Sequence, residues 1–266
     1  MQNPHRFLLL PLLLALLVGC GRPALSPDQS TPQNPVIKAN FTDADPQDFP
    51  VKHPKRYPVH GIDASRFLGA IDWQTAAQSG VSFAYLKATE GGDGLDPAFA
   101  TNWQAAAGAG IPRGAFHFYY WCRPAAEQAR WFIAHVPRST GALPPVLDLE
   151  WTPFSPTCTL RPDAATVQAE AEIFLTLLER HYGQRPLIYT SPDFYADNQL
   201  GRVPRAEFWL RSVADHPAKV YPSQSWTFWQ YSSTSGVPGV RGAVDTNVFA
   251  GSVAAWQAWL AARSAP

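Results

Sequence analysis

The sequence predicts an α/β fold, a modified TIM-like β/α barrel of five β/α units followed by three mainly β strands. Three observations carry that expectation. Eight short apolar runs recur between His60 and Phe249. Helix-like stretches separate the first five, which argues for parallel βαβ units. Acidic residues stand where several runs end, and barrels of this kind do their chemistry at the C-terminal ends of the strands.

The elements follow in order. "HGIDASRF" opens the barrel and "DWQTAAQSG" supplies its first helix. "FAYLKATE" is followed by "PAFATNWQAAAGAG", and "GAFHFYYW" by "PAAEQARWFIAHV". After "PPVLDLEW" comes the long stretch "RPDAATVQAEAEIFLTLLERHYG", where Ile173, Leu177 and Leu178 lie at helical spacing and Gly183 supplies a stop. "PLIYTS" completes the fifth unit. "EFWLRSV", "WTFWQYS" and "GAVDTNVF" then follow with little room for helices between them.

The start of the chain reads differently. Residues 1–19 combine the short positive start "MQNPHR" with the apolar core "FLLLPLLLALLV", which is signal-peptide length and too short to span a membrane comfortably. "LVGC" ends that core and resembles a bacterial lipoprotein signal, so Cys20 is the expected site of lipidation; an ordinary cleaved signal is the alternative. Gly21 suggests sorting to the outer membrane. The expected location is therefore outside the cytoplasm, lipid-anchored at its periplasmic face, with the membrane contacted through lipid alone. Residues 20–56 are rich in Pro and polar side chains without periodicity and read as a disordered tether. The barrel domain is expected over 57–266.

Charge excludes some partners. Lys and Arg total 21 and Asp and Glu total 21, which makes no electrostatic case for nucleic acid. Ten Trp exceed what a core of this size requires, so some are expected to line a groove. A monomer is expected. Cys122 and Cys158 remain after Cys20. In an exported chain they read as a disulfide, with two buried free thiols as the alternative. Neither has a second ligand at zinc spacing, and His117 has no partner at metal spacing, so no metal or other cofactor is expected. His117 reads as packing, and Lys87 as half of a salt bridge inside the barrel.

"PPVLDLEW" carries the chemistry. Ionised carboxylates are costly beside a core unless something uses them. Asp148 and Glu150 are two apart on a strand, so they share a face and enter one space. Asp63 ends the first run, Glu90 the second, and Asp245 interrupts the eighth. Clustered like charges repel, so stability does not explain them. A pair of carboxylates in one cleft is the equipment of glycoside hydrolysis.

"GIDAS", "YLKATEG", "GAFHF", "VLDLE", "IYTS", "WQY" and "VDTNVF" occur in order between His60 and Phe249. Together they resemble glycoside hydrolase family 25, the lysozymes also called N-acetylmuramidases. The resemblance implies a barrel of five β/α units plus three strands. It also implies cleavage of the β-1,4 bond between N-acetylmuramic acid and N-acetylglucosamine in peptidoglycan, whose glycan strands become the expected partner. Glu150 matches the family's proton donor. Asp148 matches the acid that assists the substrate's acetamido group or acts as nucleophile, and Asp63 and Asp245 match the flanking acids. Tyr119, Tyr189, Trp209 and Gln230 fall at other strand ends and are expected to line the sugar groove. Arg211 and Phe116 depart from the family pattern, where a small residue and a Tyr are common. Two rival readings are a peptidoglycan-binding lipoprotein without turnover and a hydrolase of another N-acetylated glycan such as chitin.

Overall fold

The computed structural model describes residues 35–265. The expected signal peptide, Cys20 and the first part of the expected tether lie outside them.

Among the described residues, ten strands and seven α-helices follow one another. They are β1 (Thr42–Asp43), β2 (His60–Ala64), α1 (Trp73–Gln78), β3 (Val81–Glu90), β4 (Gly94–Leu95), α2 (Phe99–Gly108), β5 (Arg113–Phe118) and α3 (Ala125–His135). Then come β6 (Val146–Leu149), α4 (Ala164–Tyr182), β7 (Leu187–Thr190), α5 (Pro192–Asn198), β8 (Phe208–Arg211), α6 (Pro217–Val220), β9 (Phe228–Gly236), β10 (Val244–Phe249) and α7 (Val253–Arg263). The sheet runs β2-β3-β5-β6-β7-β8-β9-β10 and closes where β10 pairs with β2. Along this path β2 to β9 are parallel neighbours, whereas β10 is antiparallel to both β9 and β2; the short β4 pairs antiparallel with β3 beside the path. The reversal follows from chain length: a parallel return needs a crossover of a dozen residues or more, and the β9–β10 connection is too short for one.

Local signals set the helix ends. Asp163 accepts from the Thr166 amide at the start of α4, and Gly183 ends that helix in the left-handed region at φ 73°. No helix among the described residues is long and apolar enough to cross a membrane.

Side chains alternate across the barrel wall. Outward residues such as Ile62, Leu147, Leu149, Ile188 and Leu210 pack against the helices. Inward residues Phe83, Tyr85, Val146, Leu187, Trp209 and Phe228 fill the barrel. Large rings fit there because two facing positions are glycine. A Cβ on Gly61 would lie 2.5 Å from the Phe83 ring, and one on Gly114 2.2 Å from the Tyr85 ring. The barrel is therefore packed below and open only at the mouth.

The stretch before Tyr57 corrects the expected tether. Thr42 and Asp43 pair antiparallel with Gly236 and Ser235 of β9, and Asp43 Oδ1 accepts from Thr234 Oγ1 at 2.6 Å. Phe49 is buried with its ring edge-on to Trp229 at 5.1 Å. Low average hydropathy hid the few apolar side chains that find partners on the barrel. β9 runs past the body of the barrel, and β1 covers an edge that would otherwise stay unpaired.

Candidate active site

The inward faces turn polar toward the strand ends. On β6, Val146 is inside the barrel, Asp148 is at its mouth and Glu150 lies just beyond. Asp63 follows Gly61 on β2. On β10, which runs the other way, Asp245 precedes Asn247. A cleft of about 460 Å³ opens here, and Asp63, Asp148, Glu150 and Asp245 all line it. The structure thus gathers the four acids that the sequence proposed. Glu90 is absent from that lining; its Oε2 lies 2.5 Å from Lys87 Nζ, the internal salt bridge expected for Lys87.

Asp63 is held by a chain of fixed dipoles. Its Oδ2 accepts from Gln230 Nε2 at 3.1 Å and from Asn247 Nδ2 at 2.9 Å. Tyr189 Oη donates to Gln230 Oε1 at 2.8 Å, and Trp209 Nε1 donates to Asn247 Oδ1 at 2.7 Å. An indole nitrogen can only donate, so Asn247 must turn its oxygen to Trp209 and its amide to Asp63. Tyr189, Trp209 and Gln230 do line the cleft, and their polar atoms are spent on orienting this carboxylate. Asn247 escaped the sequence reading. Its position two residues from Asp245, on the same face of one strand, was the available signal.

Tyr119 is a correction. It is 1% exposed, and its hydroxyl donates to Glu170 Oε2 at 3.1 Å on the helix side of the wall. The inward residues of β5 are Phe116 and Phe118, which line the cleft in its place. His117, on the outward face, sits between Thr89 Oγ1 at 2.7 Å and Gln128 Oε1 at 3.0 Å, a packing role as expected. Burial holds its imidazole neutral, with a pKa of about 4. At the rim, Phe67 lines the cleft and is 78% exposed, and nothing in the sequence distinguished it from a core ring.

Electrostatics separate the acids. Burial drives the Asp63 carboxyl well above the usual range, and the neighbouring Asp245 adds to this. Asp148 is raised in the same way by burial and then by Glu150, against the pull of Lys87. Its Oδ1 is buried without a hydrogen-bond partner in the structure. Glu150 is pushed up to about 7 by burial, although Arg211 draws it down. Asp245 rises to about 6 from the same two opposing influences. A carboxyl that titrates near neutrality beside a second carboxylate can donate a proton while its neighbour meets developing positive charge. No group of three His, Cys, Asp or Glu side chains among the described residues is placed to hold a metal ion.

The wall behind Glu150 is braced. Cys122 and Cys158 form a disulfide with a Cα–Cα distance of 5.7 Å. Trp121 Nε1 donates to the Glu150 carbonyl at 3.4 Å, and its ring packs on Trp151 and Phe194. The loop after Glu150 lies against this aromatic stack and contributes no residue to the cleft lining between Trp151 and Cys158.

Known proteins share this architecture. The uncharacterized protein YegX of Escherichia coli strain K12 is 35% identical over 217 residues, covering 80% of this chain and 77% of its own. Lysozyme M1 of Streptomyces globisporus is 37% identical over 210 residues, covering 74% of this chain and 69% of its own. The structure of a family 25 glycosyl hydrolase from Bacillus anthracis superposes with a TM-score of 0.71 at 32% identity, over 78% of this chain and 95% of that one. Residues 62–240 match the model of glycosyl hydrolases family 25, and the chain belongs to that family as a glycoside hydrolase.

Proposed function

We propose that this protein is a peptidoglycan hydrolase, an N-acetylmuramidase that cleaves the β-1,4 bond between N-acetylmuramic acid and N-acetylglucosamine. One observation carries the reading: Asp148 on β6 and Glu150 just past its end enter one cleft in unequal surroundings. Glu150, held near pKa 7, is the proton donor to the leaving oxygen. Asp148 faces the anomeric carbon, and either orients the substrate's acetamido oxygen for attack or attacks directly. Asp63, locked by Gln230 and Asn247, and Asp245 opposite it position the sugar and keep the protons shared among the four acids. The exposed ring of Phe67 offers a face on which a pyranose can stack. Similarity to lysozyme M1 supports the substrate class.

The test is a digest of purified peptidoglycan followed by borohydride reduction and mass spectrometry. A muramidase yields reduced muramic acid ends; reduced glucosamine ends place the cut at the other bond. Binding without new reducing ends means a binding lipoprotein. Preferential cleavage of chitin oligosaccharides means a hydrolase of another glycan.

A further inference from the structure

Arg211 ends β8 with its backbone locked, because the Tyr221 hydroxyl donates to the Arg211 carbonyl at 2.6 Å. Alternation along β8 sends Arg211 into the cleft after Trp209, while Leu210 packs outward. Two cations line the cleft. Lys87 is tied to Glu90. The Arg211 guanidinium has no ion pair and no side-chain hydrogen bond among the described residues, although its charge acts on Glu150 and Asp245. A half-buried guanidinium with its donors unused is costly to hold unless a ligand completes it. Its planar fork of donors matches a carboxylate and is poorly replaced by Lys.

The substrate proposed above carries such a group. Muramic acid differs from glucosamine by a lactyl ether at O3, which ends in a carboxylate or in the stem peptide attached to it. Carboxylates lining the cleft repel an anionic sugar to the extent that they are ionised, and a cation beside them offsets that repulsion. We infer that Arg211 binds a carboxylate on the O3 substituent of the muramyl residue, and so selects muramic acid over glucosamine next to the scissile bond. The inference rests on the muramidase reading for its ligand. The free lactyl group and the stem peptide are two sources of the same chemistry.

The experiment measures affinity in a Glu150→Gln background, which holds glycan uncut. Calorimetry would compare peptidoglycan tetrasaccharides with free lactyl carboxylates, the same sugars as methylamides, peptide-bearing tetrasaccharides, and chitotetraose. Adding Arg211→Gln is expected to weaken binding of the free acid about tenfold, in keeping with the loss of a charge-assisted hydrogen bond, and to change the methylamide and chitotetraose less than about twofold. Arg211→Lys should restore part of the loss. If the tenfold effect appears only with peptide-bearing sugars, the stem supplies the carboxylate. Equal weakening of all four ligands, or of none, overturns the inference. Hydrolysis by the wild-type protein is read separately. Arg211-dependent affinity without hydrolysis would sink the muramidase reading alone, and hydrolysis without Arg211-dependent affinity would sink this inference alone.

Discussion

Asp63 and Asp245 stand directly opposite one another across the antiparallel β2–β10 pair, yet only Asp63 is anchored, by Gln230 and Asn247. Like charges in such register repel. Two side-chain amides hold one partner in place, and the other, near pKa 6, is left to exchange its proton. The unequal treatment of a symmetric-looking pair is what the barrel contributes beyond the four acids themselves.

The anchor is testable through Trp209, which reaches Asp63 by way of the Asn247 amide. Trp209→Phe keeps an aromatic ring, though a smaller one, and removes the N–H that fixes the Asn247 amide. The expected result is a kcat lower by roughly tenfold, about 1.4 kcal/mol, with KM changed less. Asn247→Asp, which places a carboxylate against Asp63, should lose more. Steady-state rates on solubilised peptidoglycan decide both.

The proposed role of Glu150 is that of an acid, which requires its proton to be present. With its pKa at about 7, activity should fall on the alkaline side of neutrality, approaching tenfold per pH unit. Glu150→Gln keeps the shape without a transferable proton and should cost about a hundredfold or more at the optimum. A pH–rate profile for the wild type and a rate for the variant are the measurements.

Asp148 should show the opposing demands of function and stability. Its folded-state pKa is raised, so the folded protein holds that proton more tightly than the unfolded chain does. The associated stability is complete below the unfolded value of about 3.9 and is lost as pH rises toward the folded value. Asp148→Asn, which cannot ionise, should therefore melt higher than the wild type at pH 7, though inactive. The difference should close near pH 3.5, where both forms are neutral. Thermal melts at the two pH values give the answer.

The disulfide closes a chain separation of 36 residues, for which chain entropy suggests about 3–4 kcal/mol. Cys158→Ser should lower Tm by on the order of 10 °C in a domain of this size. Because Trp121 also donates to the Glu150 carbonyl, the same variant should lose activity on polymeric peptidoglycan with the four acids unchanged. Differential scanning calorimetry and a turbidity assay at 25 °C test the two parts.

Cys20 is proposed as the lipid-bearing residue. Wild-type protein from a bacterial envelope should enter the detergent phase on phase separation, with Cys20 at its N-terminus and several acyl chains, since one alone holds only marginally. Cys20→Ser should move the protein to the aqueous phase or leave it uncleaved. N-terminal mass spectrometry distinguishes these outcomes.

Residue order alone determined the alternation of strands and helices, the mainly β character of the last part and the strand-end position of each acid. Those features are written in short-range patterns: apolar runs, helical spacing, and Asp148 and Glu150 two residues apart. The tertiary structure decided which face of each strand looks into the cleft. A strand buried on both sides shows no polar–apolar alternation, so "GAFHFYYW" does not reveal whether Phe118 or Tyr119 points inward. Closure of the barrel chose Phe118 and sent Tyr119 to Glu170. The same closure brought Asn247 and Trp209, 38 residues apart, within 2.7 Å, and gave Phe49 of the supposed tether a place against Trp229. Contacts between distant segments depend on the register of a closed sheet, and that register is a property of the whole fold rather than of any one stretch.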